Sequence, residues 1–362
     1  MTFIFVVGTR PEIIKCFTVS RELEKKGRKT VILFTGQHYS PEMSDSFLSA
    51  LFERKPDHFL KLNSGSPGER MGEMISKISR ILLKYERGTV IVVGDTDSTL
   101  AGAVSAKRQG WKLAHIESGF RSFDERMPEE FSRILTDHAS DILFAASQNS
   151  VQNLLNENIA KEKIHFTGNT IEDASILGAK LAEKNSKILE AQKLKKNNYA
   201  LLTLHRQENV DSKEKFSEFL EAVSEIKLKI VYPIHPRSRK NIEKFGLKVP
   251  ENVLLLDPLN YFDFLKLLIN AKMVLTDSGG IQEEALIHNI PLVTMRLSTE
   301  YAESIKAGKN ILAFTKKEIT DSADKILNKG LGEKMRKIKN PYYSEKVSEK
   351  IVSLLLDFEK NK

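Results

Sequence analysis

Cysteine is almost absent. Cys16 stands alone, so no disulfide can form within the chain. That fits a reducing compartment, and the expected location is the cytoplasm. No C-x-x-C pair, H-E-x-x-H segment or spaced set of cysteines and histidines occurs, which argues against a zinc site. The G-x-S-x-G turn of serine hydrolases is missing, and so is the G-x-G-x-x-G dinucleotide fingerprint. No apolar run is long enough to span a bilayer, so no membrane partner is expected. The first such run, Phe3–Val7, has no basic segment before it and reads as a strand rather than a signal peptide.

What is present is an ordinary globular composition. The chain has 362 residues, 41% apolar and 29% charged, enough for two domains with ample cores. The net charge is +8 and the isoelectric point about 9.2. Much of the excess lies in the Lys-rich helical stretches Lys180–Lys196 and Lys316–Lys339, which read as solvated surface. There is no RNP-type segment and no basic run interleaved with aromatics, so nucleic acid is not an expected partner.

Short apolar runs alternate with amphipathic stretches. Thr2–Val7, Thr30–Phe34, Thr89–Val93, Lys112–Ile116 and Asp141–Ala145 read as buried strands. Pro11–Lys26, Glu69–Tyr85, Ser98–Gln109 and Pro128–His138 carry helical periodicity between them. A long exposed helix is predicted over Lys180–Asn198. The alternation then restarts, with strands at Tyr199–Leu204, Lys229–Pro233, Val253–Leu256, Lys272–Thr276 and Pro291–Met295. This is α/β organisation: two Rossmann-like, doubly wound domains facing a central cleft. The predicted boundaries are 1–170 and 171–343, with an amphipathic helix in 344–362 returning to the first domain. Ligands of such sheets bind beyond the carboxyl ends of the strands, and the cleft between domains is the expected site.

Five polar clusters sit at those strand ends. In Gly8-Thr9-Arg10-Pro11-Glu12, Gly8 permits a tight turn, Pro11 suits a first helical turn, and Arg10 stands where a helix N-terminus can hold an anion. Gly94-Asp95-Thr96-Asp97-Ser98 carries a D-x-D. It is open to a metal-site reading, as in some glycosyltransferases and phosphatases, and to another in which Asp95 is a site acid and Asp97 or Ser98 caps the next helix. His115-Ile116-Glu117-Ser118-Gly119-Phe120-Arg121, followed by Pro128-Glu129-Glu130, groups histidine, arginine and carboxylates suited to acid–base work. Glu117 reads as functional, whereas Glu130 reads as an acid facing a helix dipole. The fourth cluster is Thr203–Asn209, with His205 and Arg206. In the fifth, Asp277–Ala285, Ser278, Gly279 and Gly280 open a helix whose bare N–H groups can hold a phosphate, and Glu284 lies one turn on, within reach of a sugar diol.

Taken in order, GTRPEIIK (Gly8–Lys15), TGQHY, GDTDSTLAG, HIESGFRSFDERMPEEFSRILTDHASD, TGNTIEDA, TLHRQENVD, IHPR and TDSGGIQEEA cover nearly the whole chain. In this order they resemble the non-hydrolysing UDP-N-acetylglucosamine 2-epimerase family. The resemblance implies a glycosyltransferase-B-like pair of domains, a homodimer, a UDP-sugar substrate, no cofactor and no metal. It implies that Asp95, Glu117 and Glu129 are the catalytic carboxylates, with His205 beside them, and that Lys15 belongs to the site. Arg10, His205, Arg206, Ser278, Gly279 and Gly280 would hold the diphosphate, Glu284 the ribose and Phe264 the uracil, with Arg296 close by. It also implies a role in making cell-surface polysaccharide precursors. Two departures stand out: Ser132 replaces the family's asparagine, and Tyr301 replaces a phosphate-side arginine, at a cost of about 1–3 kcal/mol of binding if nothing compensates. The stretch Tyr39–Ser44 also differs from the glutamine-rich segment through which bacterial members are activated.

The chemistry implied is elimination and re-addition of UDP, because the hydrogen at C2 is not acidic. The competing readings are a 2-epimerase of a related sugar nucleotide such as UDP-2,3-diacetamido-glucuronate, a glycosyltransferase, a hydrolysing epimerase, and a binder without turnover.

Overall fold

A computed structural model of the chain describes residues 2–36, 55–63, 65–124 and 126–360. The side chain of Arg10, the residues His38 and Tyr39, and the stretch Tyr39–Ser44 lie outside the described residues.

Two parallel sheets carry the fold. The first contains β1 (Thr2–Val7), β2 (Lys29–Phe34), β3 (His58–Phe59), β4 (Thr89–Val93), β5 (Lys112–Ser118), β6 (Ile142–Ala145) and β7 (Ile164–Phe166), in the order β3-β2-β1-β4-β5-β6-β7. The second contains β8 (Tyr199–Thr203), β9 (Lys229–Pro233), β10 (Val253–Leu256), β11 (Met273–Thr276), β12 (Leu292–Thr294) and β13 (Asn310–Leu312), in the order β10-β9-β8-β11-β12-β13. Among the described residues, all strand pairings are parallel. Central strands such as β1, β4 and β8 are buried along their full length, as expected where helices cover both faces. In each sheet the strand order reverses once, between β1 and β4 and between β8 and β11. The loops leaving those four strands are the ones that carry the GTRPE, GDTD, HRQ and DSGG strings, and an open parallel sheet holds ligands at such reversals.

The chain divides into two compact units: Met1–Ala174 with Ser344–Lys362, and Ser175–Tyr343. The C-terminal helix, Val347–Lys360, belongs to the first unit and packs on helix Arg10–Lys25. Val347, Ile351, Val352 and Leu355 are buried there, and Ser348 Oγ meets Thr18 Oγ1 at 2.8 Å.

The predicted long helix over Lys180–Asn198 is not formed. Helix Ile171–Asn185 begins earlier and stops at Asn185, and a short helical turn, Ile188–Ala191, follows. Ile188 and Leu189 are buried, and Lys193 and Asn197 take left-handed backbone angles (φ 50° and 56°), which no α-helix can include. Burial of two apolar side chains therefore wins over the helical propensity of the surrounding lysines. Strands β3, β7 and β13, two or three residues each, and helix Gln148–Asn156 were not anticipated. Strand β5 runs two residues past the predicted end at Ile116.

Candidate active site

In the first unit, a pocket of about 280 Å³ opens where β1 and β4 part, lined by Thr9, Pro11, Glu12, Lys15, Gly94, Asp95, Thr96, Glu117, Phe120 and Arg133 among others. Its floor is a loop-to-loop clamp. The buried carboxylate of Glu12 accepts from Gly8 N (2.7 Å), Thr9 N (2.7 Å) and Thr9 Oγ1 (3.0 Å), and also from Thr96 Oγ1 (2.5 Å) and Thr99 Oγ1 (3.0 Å). Burial pushes its proton affinity above the ordinary carboxylate value even against those hydrogen bonds. Gly8 serves close approach rather than a tight turn. Its φ is not in the positive range, but a Cβ there would collide with the side chains of Ser98 and Thr35.

The helix after β4 is capped by Thr96, whose side chain accepts from Thr99 N at 3.4 Å. Neither Asp97 nor Ser98 is the cap: Asp97 is the first helical residue, and Ser98 is buried with its Oγ 2.7 Å from Thr35 Oγ1. Asp95 points to Arg133 instead, with Arg133 Nη2 at 2.5 Å and Nε at 3.0 Å from Asp95 Oδ2. The same guanidinium donates to Glu130 at 2.9 Å. No group of three or more potential metal ligands occurs among the described residues.

Glu117 sits at a bulge between Ile116 and Ser118, with φ 64°. A non-glycine residue there costs about 1–3 kcal/mol and persists only where its surroundings impose it. They do so through Lys15, whose Nζ donates to Glu117 Oε2 at 2.6 Å, and through a buried frame beneath. In that frame His115 bridges Asp137 Oδ1 (2.7 Å) and the Gly94 carbonyl (2.8 Å), while Asp137 Oδ2 accepts from Gly119 N (3.0 Å) and pairs with Arg121 (2.8 Å). Burial would raise the Asp137 pKa, but His115 and Arg121 bring it below the ordinary value. His115 and Arg121, grouped with the acid–base residues from sequence, are thus struts for the Glu117 loop.

Glu130 is likewise more than an acid at a helix start. It is buried and accepts from Ser122 N (2.9 Å), Ser122 Oγ (2.9 Å) and Phe123 N (3.0 Å). Burial opposes its ionisation, yet these donors and Arg133 bring its pKa down to about 2. Glu129 is exposed in the first turn of helix Pro128–Ala139 and does not line the pocket, so the first unit gathers Asp95 and Glu117 but not Glu129.

In the second unit, the ends of β8 and β11 meet through Asp277. This fully buried carboxylate accepts from His205 N (2.9 Å), Arg206 N (2.9 Å) and Asn209 Nδ2 (3.0 Å), and lies 3.1 Å from His205 Nδ1. Burial alone would raise its pKa, but the His205 side chain and the two backbone donors hold it below the ordinary value. The Arg206 side chain donates from Nε to the Asp277 carbonyl at 3.0 Å. The His235 ring lies 5.5 Å from that of His205.

Helix Gly279–Ile287 begins directly after β11. Ser278 holds the cap position without a capping hydrogen bond from its side chain. A Cβ on Gly279 would run into the Glu300 carboxylate, which is itself held by Arg296 at 2.7 Å. Glu284 is buried in this helix, and Phe264 is half-buried on helix Tyr261–Ile269. Tyr301 packs edge-on against Tyr342, with ring centroids 5.5 Å apart.

Glu12, Arg133, Asp137 and Asp277 were not singled out from sequence. Asp277 carried a usable signal, a carboxylate immediately after a buried strand. Glu12 carried one too, as the last residue of the Thr9-x-x-Glu12 capping box, whereas Arg133 and Asp137 reach Asp95 and His115 over distances in sequence that no local pattern reports.

The family model for UDP-N-acetylglucosamine 2-epimerase matches residues 21–356. Among similar proteins is the UDP-N-acetylglucosamine 2-epimerase of Methanococcus maripaludis, 46% identical over 333 residues that cover 89% of this chain and 90% of the relative. That of Methanocaldococcus jannaschii is 41% identical, covering 98% and 99%. The UDP-2,3-diacetamido-2,3-dideoxy-D-glucuronate 2-epimerase of Pseudomonas aeruginosa is 38% identical, covering 91% and 93%. Of solved structures, UDP-GlcNAc 2-epimerase from M. jannaschii superposes with a TM-score of 0.90 at 39% identity, covering 99% of this chain and 100% of that one. The same enzyme in complex with UDP-GlcNAc and UDP gives 0.80 at 40% identity, with the same coverage. A Rickettsia africae glycosyltransferase shares the fold alone, at a TM-score of 0.62 and 16% identity over 100% of this chain and 99% of that one. Strand-end loops, their order along the chain and this near-complete overlap converge: the chain belongs to the UDP-N-acetylglucosamine 2-epimerase family.

Proposed function

We propose that the protein interconverts UDP-N-acetylglucosamine and UDP-N-acetylmannosamine by inverting C2 of the sugar. The observation that carries this reading is one pocket in which two of the three lining carboxylates, Asp95 and Glu117, are each set against a different cation, Arg133 and Lys15, while the third, Glu12, ties the loops together. Direct removal of the C2 hydrogen would leave an unstabilised carbanion, since no carbonyl lies next to that carbon. Elimination avoids this. The C1–O bond breaks with its electron pair leaving on UDP, a carboxylate takes the C2 proton, and a C1=C2 double bond remains. Protonation of C2 on the opposite face and attack of a UDP oxygen at C1 complete the inversion. Two acid–base groups suit proton transfer on two faces, and Asp95 and Glu117 are those groups in this reading. Glu129, exposed and outside that pocket, is a third candidate from the family resemblance.

The second unit supplies what the departing diphosphate needs. His205, Arg206 and the N-terminus of helix Gly279–Ile287 offer positive charge and N–H donors, Glu284 suits the ribose and Phe264 the uracil. The family resemblance adds Arg10 to the diphosphate-binding residues. The family resemblance further supports a cytoplasmic homodimer that feeds cell-surface polysaccharide synthesis. No helix among the described residues is long and apolar enough to cross a membrane.

Incubation of the purified protein with UDP-N-acetylglucosamine in deuterium oxide tests the reading. Proton NMR is expected to show deuterium entering C2 and the manno isomer appearing. A sugar nucleotide that keeps its C2 hydrogen would reject it. Exchange seen only with UDP-2,3-diacetamido-glucuronate would move the substrate to that relative.

A further inference from the structure

We propose that Asp277 is a positioning residue that fixes the proton of His205 on Nδ1, so that Nε2 is the atom His205 presents to the substrate diphosphate. The inference rests on the diphosphate site just described. Its basis is the geometry at the reversal between β8 and β11. Asp277 is fully buried, and three donors besides the imidazole already converge on its carboxylate. His205 and the backbone N–H groups of His205 and Arg206 bring its pKa below the ordinary value against the pull of burial. An ionised carboxylate only accepts hydrogen bonds. The contact at 3.1 Å between Asp277 Oδ1 and His205 Nδ1 therefore requires the proton to sit on Nδ1. The two peptide N–H groups of His205 and Arg206 bind the same carboxylate, which holds the backbone that carries the ring against Asp277.

The neighbouring histidine is arranged the other way round. His235 Nδ1 accepts from Arg237 N at 3.2 Å, which places the proton of a neutral ring on Nε2. Two imidazoles 5.5 Å apart thus hold opposite tautomers. The titratable and charged groups around His205 are Asp277 at its Nδ1, the His235 ring and Arg206 next in the chain. With Nδ1 committed to a buried anion, a proton held on Nε2 makes an imidazolium whose charge is balanced from behind while it faces the leaving diphosphate. This is the arrangement by which a carboxylate orients a histidine without itself taking the proton.

The test is long-range proton–nitrogen NMR of protein labelled with ¹⁵N-histidine, at a pH where the rings are neutral. His205 is assigned by the signals lost in His205→Gln. The expected wild-type pattern is an Nδ1–H ring for His205 and an Nε2–H ring for His235. In Asp277→Asn, His205 is expected to shift to the Nε2–H form while His235 keeps its pattern. The kcat for epimerisation should fall by about a hundredfold or more with KM changed only a few-fold. A wild-type His205 carrying its proton on Nε2 overturns the proposal, and this measurement needs no variant to fold. So does an Asp277→Asn protein with the wild-type tautomer or the wild-type kcat. The tautomers are read without turnover, so a protein that shows them and does not exchange C2 hydrogen would reject the epimerase reading and leave the role of Asp277 standing.

Discussion

Glu117 spends conformational energy to be where it is. Its left-handed backbone at φ 64° lifts it out of the β5 ladder at the bulge and turns its carboxylate to Lys15. Glu117→Gln keeps the shape of the side chain and removes its ability to take a proton. Turnover is expected to fall by about a hundredfold or more, while calorimetric titration with UDP shows unchanged affinity. A folded Glu117→Gln protein with near-normal turnover would exclude the role. Glu117 could be read from sequence because it stands at a strand end before glycine. Its strained backbone could not, because bulges leave no mark on apolar alternation. Asp95 was equally visible, but its partner was not: Arg133 lies 38 residues further on, and what unites them is helix Pro128–Ala139 packing beside the β4 loop.

That helix shows how one element organises the pocket mouth. Its first turn delivers Glu130 to the amides of Ser122 and Phe123, pinning the loop that follows Glu117. The folded-state value for Glu130, about 2 against an ordinary 4.5, is a depressed carboxylate. Such a group stabilises the fold in full above its unfolded value, and that stability is lost as pH falls through the folded value. Glu130→Gln should therefore lower the melting temperature at pH 7 by a few degrees, and the gap to wild type should narrow as pH drops from 4.5 towards 2. Scanning calorimetry across that range checks it, and a gap that widens on acidification would contradict the assignment. At this scale, long buried strands and helices were legible because each repeats its period several times. The strands β3, β7 and β13 were not, since two or three residues hold no period. The break after Asn185 was missed because lysines promise a helix, while Ile188 and Leu189 demand burial.

Across the whole molecule, both reversals of strand order are furnished with polar loops, and the D-x-D string is the place where a metal would be sought. Asp95 is engaged by Arg133, and Asp97 begins a helix. Catalysis is accordingly expected to survive exhaustive chelation with EDTA. A strict requirement for magnesium or manganese would restore the metal reading. The alternation of apolar runs made the two-sheet architecture legible, whereas the segment that completes the first unit could be suggested only by its amphipathic pattern. That segment bears on how the protein is made. The second unit is one uninterrupted stretch, but the first needs Ser344–Lys362, which comes after all of it. On a ribosome adding about 5–20 residues per second, the intervening stretch takes on the order of ten to thirty seconds. For that interval the nascent helix Arg10–Lys25 has no cover from Val347, Ile351 and Leu355, and the half made first is the half finished last.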